Sequence, residues 1–530
     1  MWKVAFNVAT ILALLPTLAI SAPTTAIVAG AGVGGLYTAA KLAQSGVAVT
    51  LVEQNSRDAA GGRLACETVV ADGRKFRFET GPSLLLLPSI YREALSSLGL
   101  DPSKHLNLKR CMPSYGVHFR DGLPSPLEIG GNAESERALE QAMESVEPGS
   151  YTAYCDYLVS ARANLKAGLP IFIREQLGLD ELATLPGFLR AALLGGGSES
   201  ERTTPLRDWP LRSHAAQASE LFTAERHREL ACFQDLYIGL APQDAPSVFS
   251  LLQAIELAPI GDEESDSGIF YPLGGWGNVR DALLEAVESS GVDCRWNTKV
   301  EQVLVSEGDE ETGEAPSVRG VRIAPSAAVT EGKGAEAVFA SDPSAEFSKA
   351  RAASSSSAST TELTADCVVI NADLAAAEGD LLPPSIRRSA YKEKSEVREA
   401  AFDPSTLLEE PLRPNGWQYS SSTISLFFCL SQRYEQLRHH NVFLGPSTAW
   451  EGLFDATEYT SWADRIASGP PMHFYVHAPA RTDPSVCERP TDDAIMVLVP
   501  VPPLPDGLSE AEVHAATERL IPTARAAVIE

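Results

Sequence analysis

The chain has 530 residues, more than one compact core usually holds at about 100–200 residues per domain, so its length predicts two connected domains. Its 44% hydrophobic and 21% charged residues are typical of a folded globular protein and exclude a mostly disordered or multi-spanning chain. The net charge of -27 repels phosphate groups and argues against a nucleic-acid partner. The eight cysteines form no CxxC or Cys/His cluster, so neither a metal site nor a disulfide framework is predicted.

The first 23 residues are set apart by their hydrophobicity. Lys3 precedes an apolar run over residues 4–20, and Ala19 and Ser21 are the small residues typical of a signal-peptidase site. The run is also close to the length of a membrane-spanning helix. We therefore expect residues 1–23 to be either a cleaved signal or a retained anchor, and the protein to associate with an endomembrane or plastid membrane.

A strand, a turn, a helix and a second strand follow this segment. Thr25–Ala29 is a short apolar strand, and residues 30–35 form a glycine-rich turn. Leu36–Ser45 carries apolar residues at helical spacing, and Val47–Val52 is a nearly continuous apolar strand that runs into Glu53. Such a strand is typical of a parallel sheet covered on both faces. The order predicts the opening unit of a dinucleotide-binding fold.

The glycine turn has the spacing of a phosphate-binding loop. Gly30 permits a tight turn, Gly32 lets the backbone approach a pyrophosphate, and Gly35 allows close packing of helix on strand. The N-terminus of the helix offers unpaired N–H groups and the positive end of its dipole. Glu53 lies 18 residues after Gly35, where its carboxylate can accept hydrogen bonds from a ribose diol. The strand, turn, helix and acidic residue together predict a dinucleotide site.

The periodicity of the apolar residues predicts the elements farther along the chain. Helical spacing dominates residues 91–252. Strands are predicted at Val300–Val305, Val318–Ile323, Cys367–Ile370, Thr423–Cys429, His473–His477 and Ile495–Val501. Residues 324–364 are rich in Ala, Ser, Glu and Gly and poor in large apolar residues, so disorder is predicted there.

A second glycine motif indicates which dinucleotide the predicted site binds. Gly61, Gly62 and Arg63 follow Glu53 closely. In this position they resemble the second glycine motif of flavoproteins of the amine oxidase and phytoene desaturase superfamily, where it lies against the FAD pyrophosphate. The resemblance implies FAD as the cofactor rather than NAD.

Further motifs narrow the resemblance. Phe78–Ser83 (FETGPS) is similar to a segment of bacterial and fungal phytoene desaturases, a type of carotenoid desaturase. Other blocks similar to that family follow in its usual order: Leu236–Pro242, Tyr271–Trp276, Val368–Asp373, Phe474–Pro479 and Arg481–Pro484. The resemblance runs from about residue 25 to 505.

The resemblance implies an α/β fold with two domains. A Rossmann-like FAD-binding domain is expected over residues 24–105, 268–323 and 364–385. A substrate domain with a mixed sheet and helices is expected over residues 106–267 and 386–505. Residues 324–363 are then a disordered insertion, and residues 506–530 begin a C-terminal segment that is truncated before the family's glycine-rich, flavin-closing motif. The resemblance assigns cofactor contacts to Gly30, Gly32, Gly34, Gly35, Glu53, Gly61, Gly62, Arg63, Gly81, Pro82, Ser83, Val300, Asn371 and Asp373.

The resemblance also implies a polyene hydrocarbon such as phytoene as the substrate. Its dehydrogenation would transfer a hydride to the flavin. The protein would orient the substrate and exclude water from it. The sequence identifies no catalytic base; Glu79 and Asp373 flank expected flavin contacts, but for each a structural, hydrogen-bonding role is favoured. A carotenoid cis-trans isomerase, an amine oxidase and an inactive FAD-binding remnant remain alternatives.

A membrane surface is an expected partner because the substrate is a hydrocarbon. Residues 169–194 mix apolar clusters with scattered charges, which fits either an interfacial helix pair or a helix pair in the protein core. The sequence does not indicate an oligomeric state.

Overall fold

The structure is a computed structural model of the chain. It describes residues 24–119, 126–169, 212–257, 266–306, 316–326, 360–373, 377–383, 420–468, 472–504 and 509–529. The predicted signal or anchor segment and nearly all of residues 169–194 lie outside these ranges.

The described ranges contain both helices and strands. The helices are α1 (Val33–Gln44), α2 (Pro88–Ser97), α3 (Pro102–His105), α4 (Ala133–Val146), α5 (Ser150–Leu169), α6 (His214–Leu221), α7 (Glu225–Cys232), α8 (Asp235–Ile238), α9 (Leu251–Glu256), α10 (Gly277–Ser289), α11 (Trp462–Ser468) and α12 (Glu510–Ile529). The strands are β1 (Thr25–Ala29), β2 (Ala48–Val52), β3 (Cys66–Ala71), β4 (Arg74–Glu79), β5 (Leu108–Arg110), β6 (Tyr115–Phe119), β7 (Leu127–Ile129), β8 (Phe270–Pro272), β9 (Asp293–Arg295), β10 (Thr298–Val305), β11 (Val318–Pro325), β12 (Thr361–Thr364), β13 (Cys367–Ile370), β14 (Ser422–Leu430), β15 (His440–Leu444), β16 (Phe474–His477) and β17 (Asp493–Val501).

The chain divides into two compact units. Unit 1 comprises Met1–Ala65, Ala94–His105 and Trp276–Gln418, and unit 2 comprises Cys66–Glu93, Leu106–Gly275 and Tyr419–Glu530. Unit 1 contains most of the expected FAD-binding domain. Two stretches expected there, residues 66–93 and 268–275, belong instead to unit 2. They do so because β3 and β4 pair with each other as a hairpin and β8 pairs with β5.

The central sheet of unit 1 is parallel, as the apolar strands predicted. Its strand order is β13-β1-β2-β9, with β1 paired to β13 on one side and β2 on the other. The inner strands are buried because α1 packs against β1 and β2, and α10 packs against α1. The order confirms the predicted Rossmann-like opening unit.

A three-stranded antiparallel sheet completes unit 1 and corrects one expectation. The predicted pairing of β10 with β11 is confirmed, but β11 also pairs with β12. Residues 324, 325 and 361–363, expected in a disordered insertion, are therefore strand residues. Leu363 pairs with Val321 and packs against an apolar cluster. The average composition of the whole tract does not reveal this short strand. Residues 327–359 lie outside the described ranges.

Unit 2 is built on the predicted mixed sheet. Its strand order is β14-β17-β16-β15-β6-β7, in which β15 and β6 run parallel and the other pairs run antiparallel. Almost every residue of β17 is buried, as expected for an inner strand. The terminal helix α12 adds Leu520 and Ala524 to the apolar clusters of this unit. Among the described helices, none combines the length and apolar character needed to cross a bilayer.

Candidate functional site

The glycine turn after β1 leaves no room for side chains at two of its positions. Gly30 has a φ of +103°, and an added Cβ would lie 2.6 Å from the main-chain oxygen of Asn371. A Cβ on Gly35 would lie 2.0 Å from the main-chain oxygen of Gly30. Since both obstacles are backbone atoms, these contacts explain the glycines at the tight turn and at the helix-to-strand packing position.

Asn371, directly after β13, holds this turn from the neighbouring strand. Its main-chain N–H donates to Ala29 at 2.8 Å, and its side-chain Nδ2 donates to the oxygen of Gly30 at 3.3 Å. The same Nδ2 lies 3.0 Å from the position that a Cβ of Gly32 would take. One amide group therefore occupies the space beside the turn, and the predicted contact of Asn371 with the cofactor stays a prediction.

Helix α1 starts at this turn with an open N-terminus. Its N-cap is Gly32, which has no side chain to cap the helix, and its first turn contains no acidic residue. The next glycines, Gly34 and Gly35, are buried within that first turn. The first main-chain N–H groups of a helix have no partner within the helix, and the dipole favours an anion there. This end of α1 fits a phosphate group.

Glu53 joins the end of β2 to the same turn. Its Oε2 accepts a hydrogen bond from the N–H of Ala31 at 2.7 Å, and its Oε1 accepts one from the N–H of Asn55 at 2.9 Å. The side chain is buried. Glu53 thus stabilises the loop conformation, a role that spacing alone did not reveal. Each carboxylate oxygen can accept a further bond, so the predicted ribose contact stays a prediction.

The second glycine motif packs directly on the first. Gly61 donates from its N–H to the oxygen of Ala31 at 2.9 Å and forms a parallel bridge with Gly32. A Cβ on Gly62 would lie 3.3 Å from the Cα of Gly32. Gly61 and Gly62 have φ values of +111° and +60°, which favour glycine. Two motifs that are separate in sequence therefore form one continuous surface of backbone.

Two arginines border this surface in different ways. Arg63, predicted to contact the pyrophosphate, is exposed. Arg280 of α10 covers Gly61, where an added Cβ would lie 2.9 Å from the Arg280 side chain, and its Nη1 donates to the oxygen of Asp58 at 3.2 Å. Sequence reasoning missed Arg280, because no local pattern indicates which turn of α10 meets the motif.

Five further residues were predicted to contact the cofactor. Val300 is a buried residue of the apolar cluster of unit 1 formed around Ile27 and Val52. Asp373 is exposed, and its main-chain oxygen accepts from the N–H of Ala377. Gly81, Pro82 and Ser83 belong to unit 2. Cofactor contact by these five residues stays a prediction.

Glu79, which precedes the Gly81–Ser83 segment, has a clear structural role. Its Oε1 accepts from the hydroxyl of Tyr271 at 2.7 Å, and its Oε2 accepts from the thiol of Cys66 at 2.7 Å. The carboxylate is almost fully buried. These bonds support the structural role that the sequence left as one of two interpretations.

Unit 2 contains a buried histidine network that the sequence did not predict. It consists of His439, His440, His477, Tyr475, Thr482 and Ser83. His439 Nε2 lies 3.0 Å from His477 Nε2, and His439 Nδ1 lies 2.5 Å from Thr482 Oγ1. His440 Nδ1 lies 2.6 Å from the hydroxyl of Tyr475, which donates to Ser83 Oγ at 3.0 Å. The two consecutive histidines before Asn441 were the one feature of the sequence that pointed to this network.

Burial keeps these imidazoles neutral. Loss of hydration lowers the pKa of His439 and His440 well below the ordinary value, and nearby imidazoles lower both further. Burial lowers the pKa of His477 to about 3. At neutral pH each ring therefore has one N–H donor and one nitrogen that can accept a proton.

The network also places three potential metal ligands together. Cys111, His439 and His440 each bring one ligand atom to within 4.8 Å of the others. Both ring nitrogens of His439 are already hydrogen-bonded, to Thr482 and His477. This leaves Cys111 and His440, fewer than the three or four ligands that a protein zinc site uses, so this geometry does not by itself define a metal centre.

The parallel sheet, the uncapped helix and the joined glycine motifs define a dinucleotide-binding protein of the Rossmann-like class. In agreement, residues 28–98 match the NAD(P)-binding Rossmann-like domain family. The whole chain shows more specific relatives. It is 31% identical over 512 residues to a phytoene desaturase of Neurospora crassa, with 96% of this chain and 70% of that protein covered. The chain belongs to the phytoene desaturase family.

The chain is also similar to two further proteins. The chain is 30% identical over 480 residues to a zeta-carotene-forming phytoene desaturase of Myxococcus xanthus, with 90% of this chain and 72% of that protein covered. Among solved structures, an oxidoreductase from Methanosarcina mazei aligns with a TM-score of 0.47 at 14% identity, covering 95% of this chain and 83% of that one. The family resemblance expected from the sequence motifs is thus confirmed by the sequence relatives.

Proposed function

We propose that this protein is an FAD-dependent carotenoid desaturase that dehydrogenates phytoene or a similar polyene. The contact between the two glycine motifs carries the proposal. Gly61 bonds to the loop that contains Gly32, and the partly exposed Gly32 and the exposed Gly62 offer bare backbone beside the open end of α1. A pyrophosphate needs such a surface, because its oxygens accept main-chain N–H bonds at close range.

FAD fits these residues by shape and charge. The N-terminus of α1 would hold the pyrophosphate, and Glu53 would accept from the adenosine ribose. Asn371 holds the turn in place through Gly30. Bound FAD would supply the acceptor for the hydride that leaves the substrate. The protein's own contribution is to orient the polyene, exclude water and remove a proton.

A polyene substrate is supported by family membership. The related proteins named above are a phytoene desaturase and a zeta-carotene-forming phytoene desaturase. A hydrocarbon has no polar group to recognise, so its binding depends on apolar surface and shape. We further propose that the protein works at a membrane surface, since phytoene partitions into lipid.

The reaction can be tested directly by mass. The protein, in the longest form its transcript encodes, is loaded with FAD and mixed with phytoene in liposomes, and the extracted lipid is analysed by mass spectrometry. Desaturation removes pairs of hydrogens and lengthens the conjugated chromophore. An isomerase leaves the mass unchanged, and an amine oxidase ignores phytoene and releases peroxide from an amine. Altered chromatography without loss of mass would refute the proposal.

A further inference from the structure

A pocket of about 300 Å³ lies along one side of helix α5, and all of its lining residues belong to unit 2. Its volume is within the range of small-molecule sites in proteins. Helix α5 contributes residues three or four positions apart, which form one strip along the helix: Tyr151, Tyr154, Cys155, Leu158, Val159 and Arg162. None of the lining residues belongs to the glycine turn or to the histidine network.

The floor of this pocket is apolar and its rim is open. Ile129 of β7, Leu139 of α4 and Leu257 line it together with the strip of α5, and all three are almost fully buried. Val159, by contrast, is 49% exposed. An apolar chain can therefore enter from the rim and leave water by covering the floor.

The length of the strip indicates the size of the occupant. Since α5 rises about 1.5 Å per residue, the strip from Tyr151 to Arg162 is about 16 Å long, close to the length of an extended chain of about 12 carbons. One unbranched chain fits this space. The two chains of a phospholipid are too large for the pocket to enclose.

The two charged residues of the pocket differ in their partners. Glu136 Oε1 accepts a hydrogen bond from the hydroxyl of Tyr151 at 2.8 Å, at one end of the strip. Arg162, at the other end, has a buried Nε without a hydrogen-bond partner. Within the described part of the chain, its guanidinium also takes part in no ion pair. An arginine N–H that faces an apolar pocket without an acceptor favours an anionic ligand.

The other polar groups of the pocket are neutral. Burial raises the pKa of the Tyr154 hydroxyl and of the Cys155 thiol, and Glu136 raises both further. The positive charge of Arg162 opposes this increase at both groups, so its field reaches the interior of the pocket. At neutral pH, Arg162 is therefore the one positive charge that the lining offers to a ligand.

We propose that this pocket binds the anion of an unbranched fatty acid of about 12 carbons, with its carboxylate at Arg162 and its chain along α5 towards Tyr151. A carboxylate accepts two parallel hydrogen bonds from Nε and one Nη of a guanidinium, which gives the buried Nε its missing partner. The protein has a net charge of -27, so a local contact and not the overall field must hold the anion. The inference does not depend on the proposed function, because neither FAD nor a polyene takes part.

The test compares three ligands that share one chain and differ in the head group. Dodecanoate, dodecanol and dodecylammonium are titrated into the whole protein by calorimetry, at concentrations below micelle formation. We expect one dodecanoate to bind per chain, with about tenfold higher affinity than either of the other two, because the apolar contribution is common to all three. Vesicles of phosphatidylglycerol are a fourth probe, in which the anion is a lipid head group.

Arg162→Gln removes the proposed contact with the carboxylate. Its affinity for dodecanoate should fall by about tenfold or more, while its affinity for dodecanol should stay within about threefold. Arg137→Gln is the matched control, since Arg137 is an exposed arginine of α4 that does not line the pocket. It should bind dodecanoate within about threefold of the unaltered protein.

Val159→Glu decides the question if Arg162→Gln does not fold. Val159 is at the exposed rim, three residues before Arg162, so a carboxylate there should weaken dodecanoate binding by about fivefold or more without disturbing the core. Melting temperatures of all three variants show whether the fold is retained.

Four results would overturn the proposal. Dodecanoate does not bind, or folded Arg162→Gln and Val159→Glu proteins bind it as the unaltered protein does. Dodecylammonium binds more tightly than dodecanoate, which would make Glu136 the residue that selects the ligand. Arg137→Gln loses as much affinity as Arg162→Gln, which would show an effect of overall charge. Arg162→Gln loses affinity for phosphatidylglycerol vesicles but not for dodecanoate, which would assign Arg162 to a lipid head group. None of these measurements requires desaturase activity, so they are independent of whether the proposed function holds.

Discussion

Asn371 Nδ2 donates a hydrogen bond to the main-chain oxygen of Gly30 across 341 positions of sequence, at 3.3 Å. The bond ties the end of β13 to the turn after β1. It therefore links the shape of the proposed phosphate site to a residue of another strand.

Replacing Asn371 with aspartate should weaken FAD binding more than it weakens the fold. The carboxylate cannot donate to Gly30, which costs about 0.5–1.5 kcal/mol, and it adds a negative charge beside the expected pyrophosphate. Asn371→Ala loses the hydrogen bond without adding charge and serves as the control. Titration with FAD, followed by flavin fluorescence, should show a larger loss of affinity for Asp than for Ala. Equal losses would mean that charge at this position does not affect the cofactor.

Gly32→Val should abolish FAD retention while most of the fold remains. A Cβ at Gly32 meets only the side-chain Nδ2 of Asn371, at 3.0 Å, which can move by a small rotation. The valine methyl groups would instead occupy the surface that the pyrophosphate needs. Visible absorbance of the purified protein measures the bound flavin. Gly379→Ala, an exposed position where a Cβ has open space, is the control. Stoichiometric FAD in Gly32→Val protein would exclude this turn as the pyrophosphate site.

Deleting residues 327–359 should leave the stability nearly unchanged. Strands β11 and β12 are antiparallel neighbours, with Ile323 opposite Thr361, so a short turn can join their ends. The change in loop-closure entropy is small because it grows only slowly with loop length. We expect a melting temperature within about 2 °C of the unaltered protein. Removing residues 361–364 as well is the contrasting variant, because it also deletes the strand that pairs with β11. A large destabilisation by the first deletion would show that the tract packs.

Glu256 should make the stability of the protein depend on pH. Burial raises the pKa of this carboxyl from 4.5 to about 7, although Gln234 donates to it at 3.0 Å. Between pH 4.5 and 7 the folded protein therefore holds a proton that the unfolded chain has released. Stability from this group is present at low pH and is lost as the pH rises to 7, by about 1.4 kcal/mol per pH unit.

Glu256→Gln should remove this dependence, because the amide keeps the shape and has no proton to release. The melting temperature of the variant should exceed that of the unaltered protein by an amount that grows from pH 5 to 7 and then levels off. Glu140→Gln, at an exposed position on α4, is the control for replacing a carboxylate by an amide. A constant difference for Glu256→Gln would show that the carboxyl titrates at its ordinary pKa.

The sequence by itself determined the helices, strands and turns that depend only on residues close together in the chain. The apolar strands, the glycines with positive φ and the helical spacing after Gly35 are properties of short segments, and they sufficed to predict the Rossmann-like unit. The mixed sheet of unit 2 was predictable for the same reason. The family's motifs, which occur in their usual order along the chain, predicted the class of cofactor and of substrate.

Tertiary structure alone decided which distant residues meet. Arg280 covers Gly61, and β15 lies beside β16, so that His439 meets His477 and His440 meets Tyr475. Strand β12 is ordered within a tract of disorder-prone composition because β11 provides its hydrogen bonds. Such contacts depend on the register and packing of segments far apart in the chain, and no local pattern encodes them.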